Sequence, residues 1–326
     1  MNLNKSVILL TGGTGSFGTA FIRHMLSSRS FKGIIRIFSR DEFKQYQLQQ
    51  EYPNESRLRY FIGDVRELPR LKRAMTGVDI VIHAAALKQV PILEYNPFEA
   101  VKTNIVGTQN VIDAAIDLKV GKGLLISSDK AVSPVNLYGA SKMVAEKLFV
   151  QSNSYTGGKN TIFAVVRYGN VMGSRGSVVP IFKKQASTNM LEITDSEMTR
   201  FWITLEEGIN FVVNSLAAMK GGEIFVPKLP SIKITDLAKA ISPKAKIKII
   251  GIRPGEKVHE VLVNENEFRH TREFSKYFVI EPEFIFWEKT RKPYKNKFIK
   301  NNFSYRSDNN SRWLTIEQIT RLLKRD

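Results

Sequence analysis

Short apolar runs alternating with helical patterns, a glycine turn after the first run, and a change of rhythm near Asn170 predict an α/β protein. The expected architecture is a Rossmann-type doubly wound parallel sheet with a smaller C-terminal region. In chain order, Ser6–Thr11, Ile34–Ser39, Leu58–Ile62, Asp79–His83, Gly123–Ser127 and Thr161–Arg167 read as strands. Each is a near-continuous apolar run bounded by Gly, Asp or Ser, as parallel strands buried on both faces require. Between them Phe17–Leu26, Asp41–Glu51, Glu67–Met75, Pro97–Leu118 and Tyr138–Tyr155 carry apolar residues at helical spacing. Such βα units wind by right-handed crossovers.

From about Asn170 the glycines Gly173 and Gly176 and then Pro180 break the rhythm, and the later strands Glu223–Val226 and Lys246–Ile250 are separated by long loops. We therefore divide the chain into 1–169, the sheet domain, and 170–326, a region interwoven with it and unable to fold alone. A short amphipathic helix is expected near Thr315–Leu323.

Composition narrows the chemistry. With 326 residues, 43% of them hydrophobic and 25% charged, the chain can bury a sizeable core. The absence of cysteine excludes disulfides, thiolate metal sites and a cysteine nucleophile. The four histidines, 24, 83, 259 and 270, lack metal-ligand spacing, so no metal is expected. No basic-then-apolar leader follows Met1, and the longest apolar runs fall short of the ~20 residues of a membrane span. A soluble, cytoplasmic protein is expected. The net charge of +18 invites a nucleic-acid reading. No arginine-rich helix, zinc finger or aromatic-basic platform accompanies it, so no nucleic-acid partner is expected.

The first strand runs into Thr11-Gly12-Gly13-Thr14-Gly15-Ser16-Phe17-Gly18 and then a helix. Gly12, Gly15 and Gly18 supply positive φ and close backbone approach, and the helix N-terminus supplies N–H donors for a pyrophosphate. After the second strand stand Ser39, Arg40 and Asp41, with Lys44 one turn on. An NAD site usually places an acid there, whereas Arg40 and Lys44 suit the 2′-phosphate of NADP. Asp41 has an alternative use as a helix cap. Asp64 follows the third strand, where a carboxylate can accept from an adenine amino group or serve only as a loop acid. Ala84, Ala85 and Ala86 are small enough for backbone to pass a flat cofactor, or simply to pack beneath a helix.

Tyr138 and Lys142 lie four apart on one helix face. An ammonium ~4 Å from a phenol is worth up to ~4 kcal/mol at an effective dielectric near 20, so Lys142 is expected to bring Tyr138 toward a phenolate. Such a group takes a proton from an alcohol while hydride leaves.

With Thr11–Gly18, Ala84–Ala86, Asn104, Ser127–Ser128 and Tyr138–Lys142 in this order, the sequence resembles the extended short-chain dehydrogenase/reductases. More narrowly, Ser127–Ala131, Asn136–Lys142, Arg167–Val171, Gly173–Pro180, Met198–Thr204 and Gly251–Lys257 resemble the soluble inverting UDP-N-acetylglucosamine 4,6-dehydratases. The likeness spans nearly the whole chain, including Asn309-Asn310 and Trp313, and thins only across about Phe284–Phe303. Ser128 departs from the threonine common there, a change that keeps the hydroxyl.

The resemblance implies NADP held by Gly12, Thr14, Gly15, Ser16, Phe17, Gly18, Ser39, Arg40, Asp41, Lys44, Asp64, Val65, Ala84, Ala85, Ala86, Lys88, Asn104, Ser127, Tyr138, Lys142 and Tyr168. It implies a UDP-sugar met by Lys88, Ser128, Asp129, Lys130, Tyr138, Asn170, Val178, Pro180, Thr194, Arg200, Arg253 and Glu256. Of these, Asn170, Arg200 and Arg253 would take the diphosphate, Val178 and Pro180 the uracil, and Glu256 the ribose. The catalytic set would be Asp129, Lys130, Tyr138 and Lys142. Tyr138 oxidises C4 with the cofactor, a neutral Lys130 removes H5, and protonated Asp129 assists the leaving C6 oxygen. Neighbouring residues in extended backbone point to opposite sides, so Asp129 and Lys130 need not neutralise each other. Lys142, the nicotinamide and loss of water are expected to depress Lys130. A homo-oligomer, dimer or hexamer, is also implied. The rival reading is a UDP-sugar epimerase, and a remoter one is a non-catalytic NADP- or nucleic-acid-binding protein.

Overall fold

The computed structural model describes residues 2–157, 161–173, 177–287, 294–300 and 302–324. Ser174, Arg175 and Gly176 of the Gly173–Pro180 motif lie outside the described residues. The first half forms β1 (Val7–Thr11), α1 (Ser16–Ser27), β2 (Ile34–Ser39), α2 (Glu42–Glu51), β3 (Leu58–Ile62), α3 (Leu68–Met75) and β4 (Ile80–His83). Then follow α4 (Val90–Tyr95), α5 (Pro97–Ala100), a π-helical turn (Val101–Val106), α6 (Gly107–Asp117), β5 (Lys122–Ser128), α7 (Leu137–Gln151) and β6 (Ile162–Tyr168). The expected strands are all present, within a residue or so at each end. The helix expected over 97–118 is interrupted by the π-helical turn, and it is there that Asn104 sits, a frequent association of such turns with functional sites.

The second half contributes β7 (Asn170–Val171), α8 (Val178–Gln185), β8 (Met190–Ile193), β9 (Thr199–Ile203), α9 (Leu205–Ala218), β10 (Ile224–Pro227), β11 (Ser231–Lys233) and α10 (Ile234–Ile241). After these come β12 (Lys246–Ile249), β13 (Val261–Val263), β14 (Thr271–Glu273), β15 (Tyr277–Ile280), β16 (Tyr305–Arg306) and α11 (Ile316–Leu323).

Among the described residues the main sheet has nine strands in the order β14-β15-β10-β6-β5-β4-β1-β2-β3. From β10 to β3 all neighbours are parallel, and β15 and β14 close the edge antiparallel. The β3-β2-β1-β4-β5-β6 portion is the Rossmann order, which puts a ligand crevice at the carboxyl ends of the strands where the order reverses. Leu9, Leu10, Ile37, Val81, Leu124 and Val165 are wholly buried, as strands covered on both faces should be.

A second, smaller core gathers Phe182, Leu191, Trp202, Ile232 and Leu237, with Ile319 of α11 packed in it. Strands β10, β14 and β15 come from the second half of the chain yet complete the main sheet. Buried Arg167 ties the halves together. It forks onto Glu146 of α7 at 3.0 and 2.6 Å and also bonds Glu267 and the carbonyl of Leu262. This clamp, absent from the sequence expectations, fixes the helix that carries Tyr138 and Lys142.

Candidate active site

Two cavities of about 340 Å³ each open along the carboxyl ends of the parallel strands. The first is lined by Gly12, Thr14, Gly15, Ser39, Arg40, Asp41, Lys44, Asp64, Val65 and Ala84–Ala86, together with Gly63 and Thr103. Gly12 has φ +68°, and a Cβ there would lie 2.9 Å from the Ala85 nitrogen, so only glycine lets the turn pass the Ala84–Ala85 backbone. Gly15 is the N-cap of α1 with no side-chain cap bond, leaving a positive helix terminus at the cavity. Gly18 serves packing, since a Cβ on it would strike the Gly13 carbonyl oxygen. A dinucleotide with its pyrophosphate on this turn fits these residues.

The acidic groups around this cavity are engaged. Asp41 caps α2, accepting from Lys44 N at 3.0 Å, and also pairs with Lys44 Nζ at 2.5 Å. Both contacts are thus with a residue one helical turn away. Asp64 accepts from Arg66 N and Nε and lies 3.7 Å from Arg40. Its carboxylate is held by arginines at the cavity wall. Asn104 is also spent internally: its side chain bonds both backbone polar groups of Leu87 and the Ser141 hydroxyl. It latches the loop after β4 to α7.

Beneath the turn, Thr11 Oγ1 meets His83 Nδ1 at 2.7 Å and accepts from the Ala84 and Ala85 N–H groups. His83 Nε2 reaches Thr108 Oγ1, which donates to the Asn104 carbonyl. Since Thr108 gives its proton away, Nε2 must carry the ring hydrogen. Burial, with nearby Lys142, pushes His83 down to about 3, so it stays neutral.

The second cavity is lined by Lys88, Lys130, Asn170, Val178, Thr194, Arg200, Arg253 and Glu256 of the expected set. Pro180 is exposed in the first turn of α8 and is not among its walls. Arg200 is nearly buried, and its guanidinium donates to the carbonyls of Thr199, Val258 and Lys257. Three of its five N–H groups are engaged by these carbonyls, and Nε lies 3.6 Å from Glu260 Oε1. Arg253 is the more exposed arginine, 3.9 Å from Glu256.

Asp129–Ala131 form a 3-10 turn after β5, with Ser128 Oγ accepting from Lys130 N at 3.0 Å. The turn corrects the expectation that these neighbours point apart: Lys130 Nζ donates to Asp129 Oδ1 at 3.2 Å. It also donates to Glu260 Oε1 at 2.5 Å, a partner 130 positions away that sequence reasoning missed. No local spacing around Glu260 announces it. Burial alone would lower Lys130, but the Asp129 and Glu260 carboxylates outweigh it and raise it, the reverse of expectation. Burial raises Asp129 despite Lys130, which suits a carboxyl that holds a proton.

Tyr138 is raised, with burial outweighing the Ser128 hydroxyl and Lys130, both of which act to lower it. Lys142 does not do what its spacing suggested. Its Nζ donates to the Ile126 carbonyl at 2.7 Å, and burial lowers it to about 8. A helical register shared by two residues sets their face, while the carbonyl of the adjoining strand decides where the ammonium points. Ser127 Oγ, Asp129 Oδ2, Asn170 Oδ1 and Glu256 Oε2 are buried polar atoms without partners among the described residues at this end of the sheet. Tyr168 is buried beside them. Among the described residues no group of His, Asp and Glu could hold a metal, and no helix is long and apolar enough to cross a membrane.

Sheet order, glycine turn and the Tyr138/Lys142 helix define a Rossmann-type protein of the short-chain dehydrogenase/reductase kind. More particularly, the chain belongs to the polysaccharide biosynthesis protein family, whose profile matches residues 8–282. A Campylobacter jejuni subsp. jejuni (serotype O:2) protein named UDP-N-acetylglucosamine 4,6-dehydratase (inverting) is 51% identical over 98% of each chain. A Rickettsia canadensis protein named UDP-glucose 4-epimerase is 44% identical over 84% of this chain and 82% of its own. The X-ray structure of Pen from Bacillus thuringiensis matches the whole of both chains with a TM-score of 0.88 and 38% identity. The resemblance read from the motifs is borne out.

Proposed function

We propose that the chain catalyses the inverting 4,6-dehydration of UDP-N-acetylglucosamine to UDP-2-acetamido-2,6-dideoxy-L-arabino-hex-4-ulose, with NADP as a recycled cofactor. The observation that carries this reading is the Asp129–Lys130 pair set beside Tyr138 at the end of β5. Exchange of hydrogen at C4 needs one acid–base group, whereas loss of water across C5–C6 needs two more. The 51% identity with a protein of that name supports it.

Gly12, Gly15, Arg40 and Lys44 would hold the dinucleotide, which when bound supplies a hydride acceptor at C4 and a donor at C6. Tyr138 takes the proton of the C4 hydroxyl, with the Ser128 hydroxyl and Lys130 stabilising the phenolate. The C4 ketone acidifies H5, which Lys130 removes. Asp129 gives its proton to the departing C6 oxygen, and C5 is reprotonated on the opposite face. Residues 1–169 carry cofactor and reacting groups in this scheme, and 170–326 mainly substrate contacts. Arg253 is the better candidate for the diphosphate, and Arg200 acts from behind. A cytoplasmic, homo-oligomeric enzyme opening a pseudaminic-acid-type pathway is part of the same proposal.

The relative named UDP-glucose 4-epimerase favours a second reading, epimerisation of a UDP-sugar. Incubation with UDP-N-acetylglucosamine in deuterium oxide separates the two by mass spectrometry and NMR. A product lighter by one water and deuterated at C5 is expected. An isomer of unchanged composition would exclude dehydration and support the epimerase.

A further inference from the structure

Glu260 is wholly buried and pinned by its backbone: its N–H donates to Ser307 Oγ at 2.9 Å, and its carbonyl accepts from Ser307 N at 2.8 Å. Its Oε1 accepts from Lys130 Nζ at 2.5 Å and lies 3.6 Å from Arg200 Nε, while Oε2 is buried without a partner among the described residues. Asp129, 2% exposed, offers Lys130 a second carboxylate whose Oδ2 also lacks a partner among the described residues. One ammonium thus sits between two buried acids, one more than pairing needs. The charged and titratable groups around this cluster are Asp129, Lys130, Tyr138, Arg200 and Lys257. Arg200 and Lys257 favour the anion of Glu260, so in the resting site Glu260 is the ionised acid and Asp129 the one that burial raises.

Such an ammonium cannot accept H5 until it sheds a proton, and the Glu260 carboxylate is in direct contact with it. We propose that Glu260 is a positioning residue for the elimination: it aims Lys130 and takes up the proton that Lys130 must release before it acts as a base. The inference rests on the dehydratase reading given above. In the transfer an N–H bond of Lys130 breaks and an O–H bond forms at Glu260 Oε1, leaving the electron pair on Nζ. That pair takes H5, the C5–H electrons move into the C5–C6 bond, and the C6–O electrons leave with the oxygen. The proton of Asp129 completes the departing water. Substrate binding favours the first transfer, because excluding water penalises an ion pair more than its neutral form.

Glu260→Gln and Glu260→Asp, studied as cofactor-loaded enzyme with UDP-N-acetylglucosamine in deuterium oxide, test this. In Glu260→Gln, reduced nicotinamide should still form in a single turnover and KM should hold, while C5 deuterium incorporation falls by about 100-fold or more. Glu260→Asp should recover part of the exchange. The wild-type exchange rate should be flat around neutral pH, whereas that of Glu260→Gln should rise with pH, since Lys130 then loses its proton to solvent. Unchanged exchange in Glu260→Gln, or equal loss of C4 oxidation and exchange at every pH, overturns the proposal.

The Lys130 titration, followed by NMR in the cofactor-loaded enzyme without sugar, should fall by about one unit or more in Glu260→Gln, because an adjacent anion is removed. No fall overturns the proposal. A fall in an enzyme that leaves UDP-N-acetylglucosamine untouched supports the Lys130–Glu260 link and overturns the dehydratase reading instead.

Discussion

The cofactor cavity and the cleft beside it are about equal in volume, yet they are built in different ways. The first draws on strand ends between Gly12 and Thr103, and its charged groups pair with near neighbours, Asp41 with Lys44 and Asp64 with Arg66. Its ligand-facing chemistry is backbone, helix terminus and partly exposed side chains. The second is assembled from segments spread between Lys88 and Glu260, and at its floor buried Glu260 pairs across the chain with Lys130 and Arg200. The difference follows from what each must do. Anion binding tolerates water and moderate precision. Moving protons requires groups whose affinities are shifted by burial and by fixed partners, and only distant segments folded together supply those.

The sharpest way to separate the stages inside the cleft is to remove its two reacting groups in turn. Tyr138→Phe should abolish formation of reduced nicotinamide and hence all later steps, a loss of roughly 10²–10⁴-fold with the cofactor still bound. Lys130→Ala should lose dehydration by a similar factor but still form reduced nicotinamide in a single turnover. Wild-type C5 exchange in Lys130→Ala would place the base elsewhere and dissolve the contrast between the two cavities.

The next largest effect is on stability, and it probes the clamp joining the halves of the chain. Arg167→Ala leaves Glu146 buried without its cation, and breaking such a pair costs about 3–5 kcal/mol. The denaturation midpoint should drop accordingly, with Arg167→Lys recovering only part because a single ammonium cannot fork onto Glu146 and also reach Glu267. A midpoint within error of the wild type would show that the clamp carries no net stability.

The same distinction sets what could be read from the residues alone. Strands β1 to β6, the glycine turn and the order of the motifs are encoded locally, by apolar runs and fixed spacings, and were legible. The position of Asp129 and Lys130 after β5 was legible too. Their mutual contact was not, because a 3-10 turn replaces the extended backbone that adjacent residues would otherwise share. Glu260 was invisible since nothing within its own segment marks it; it gains meaning only when β13 and the turn after β5 meet. The same holds for the contacts of Arg200, whose guanidinium bonds carbonyls of a segment about 58 positions away. Lys142 shows a subtler failure: the face was right and the partner wrong, because the Ile126 carbonyl of β5 lies within its reach.

The smallest expected effect tests the cofactor cavity on its own terms. Arg40 is about half exposed and lies 3.7 Å from Asp64, while Lys44 is held by Asp41 at 2.5 Å. An arriving 2′-phosphate therefore meets one loosely held guanidinium and one ammonium that must be shared with a carboxylate. Its gain over a bare hydroxyl should be modest, of the order of a charge-assisted hydrogen bond or two at ~1.5–3 kcal/mol each, reduced by exposure. Arg40→Asp should then weaken NADP by about tenfold to a hundredfold, leave NAD binding within a few-fold, and make the NADP affinity less sensitive to salt. Titrating both dinucleotides against both proteins by calorimetry reads this directly. Equal losses for the two would mean that Arg40 does not read the phosphate. Selectivity would then have to come from Lys44 or from backbone, and even the locally encoded cavity would hide its specificity from the sequence.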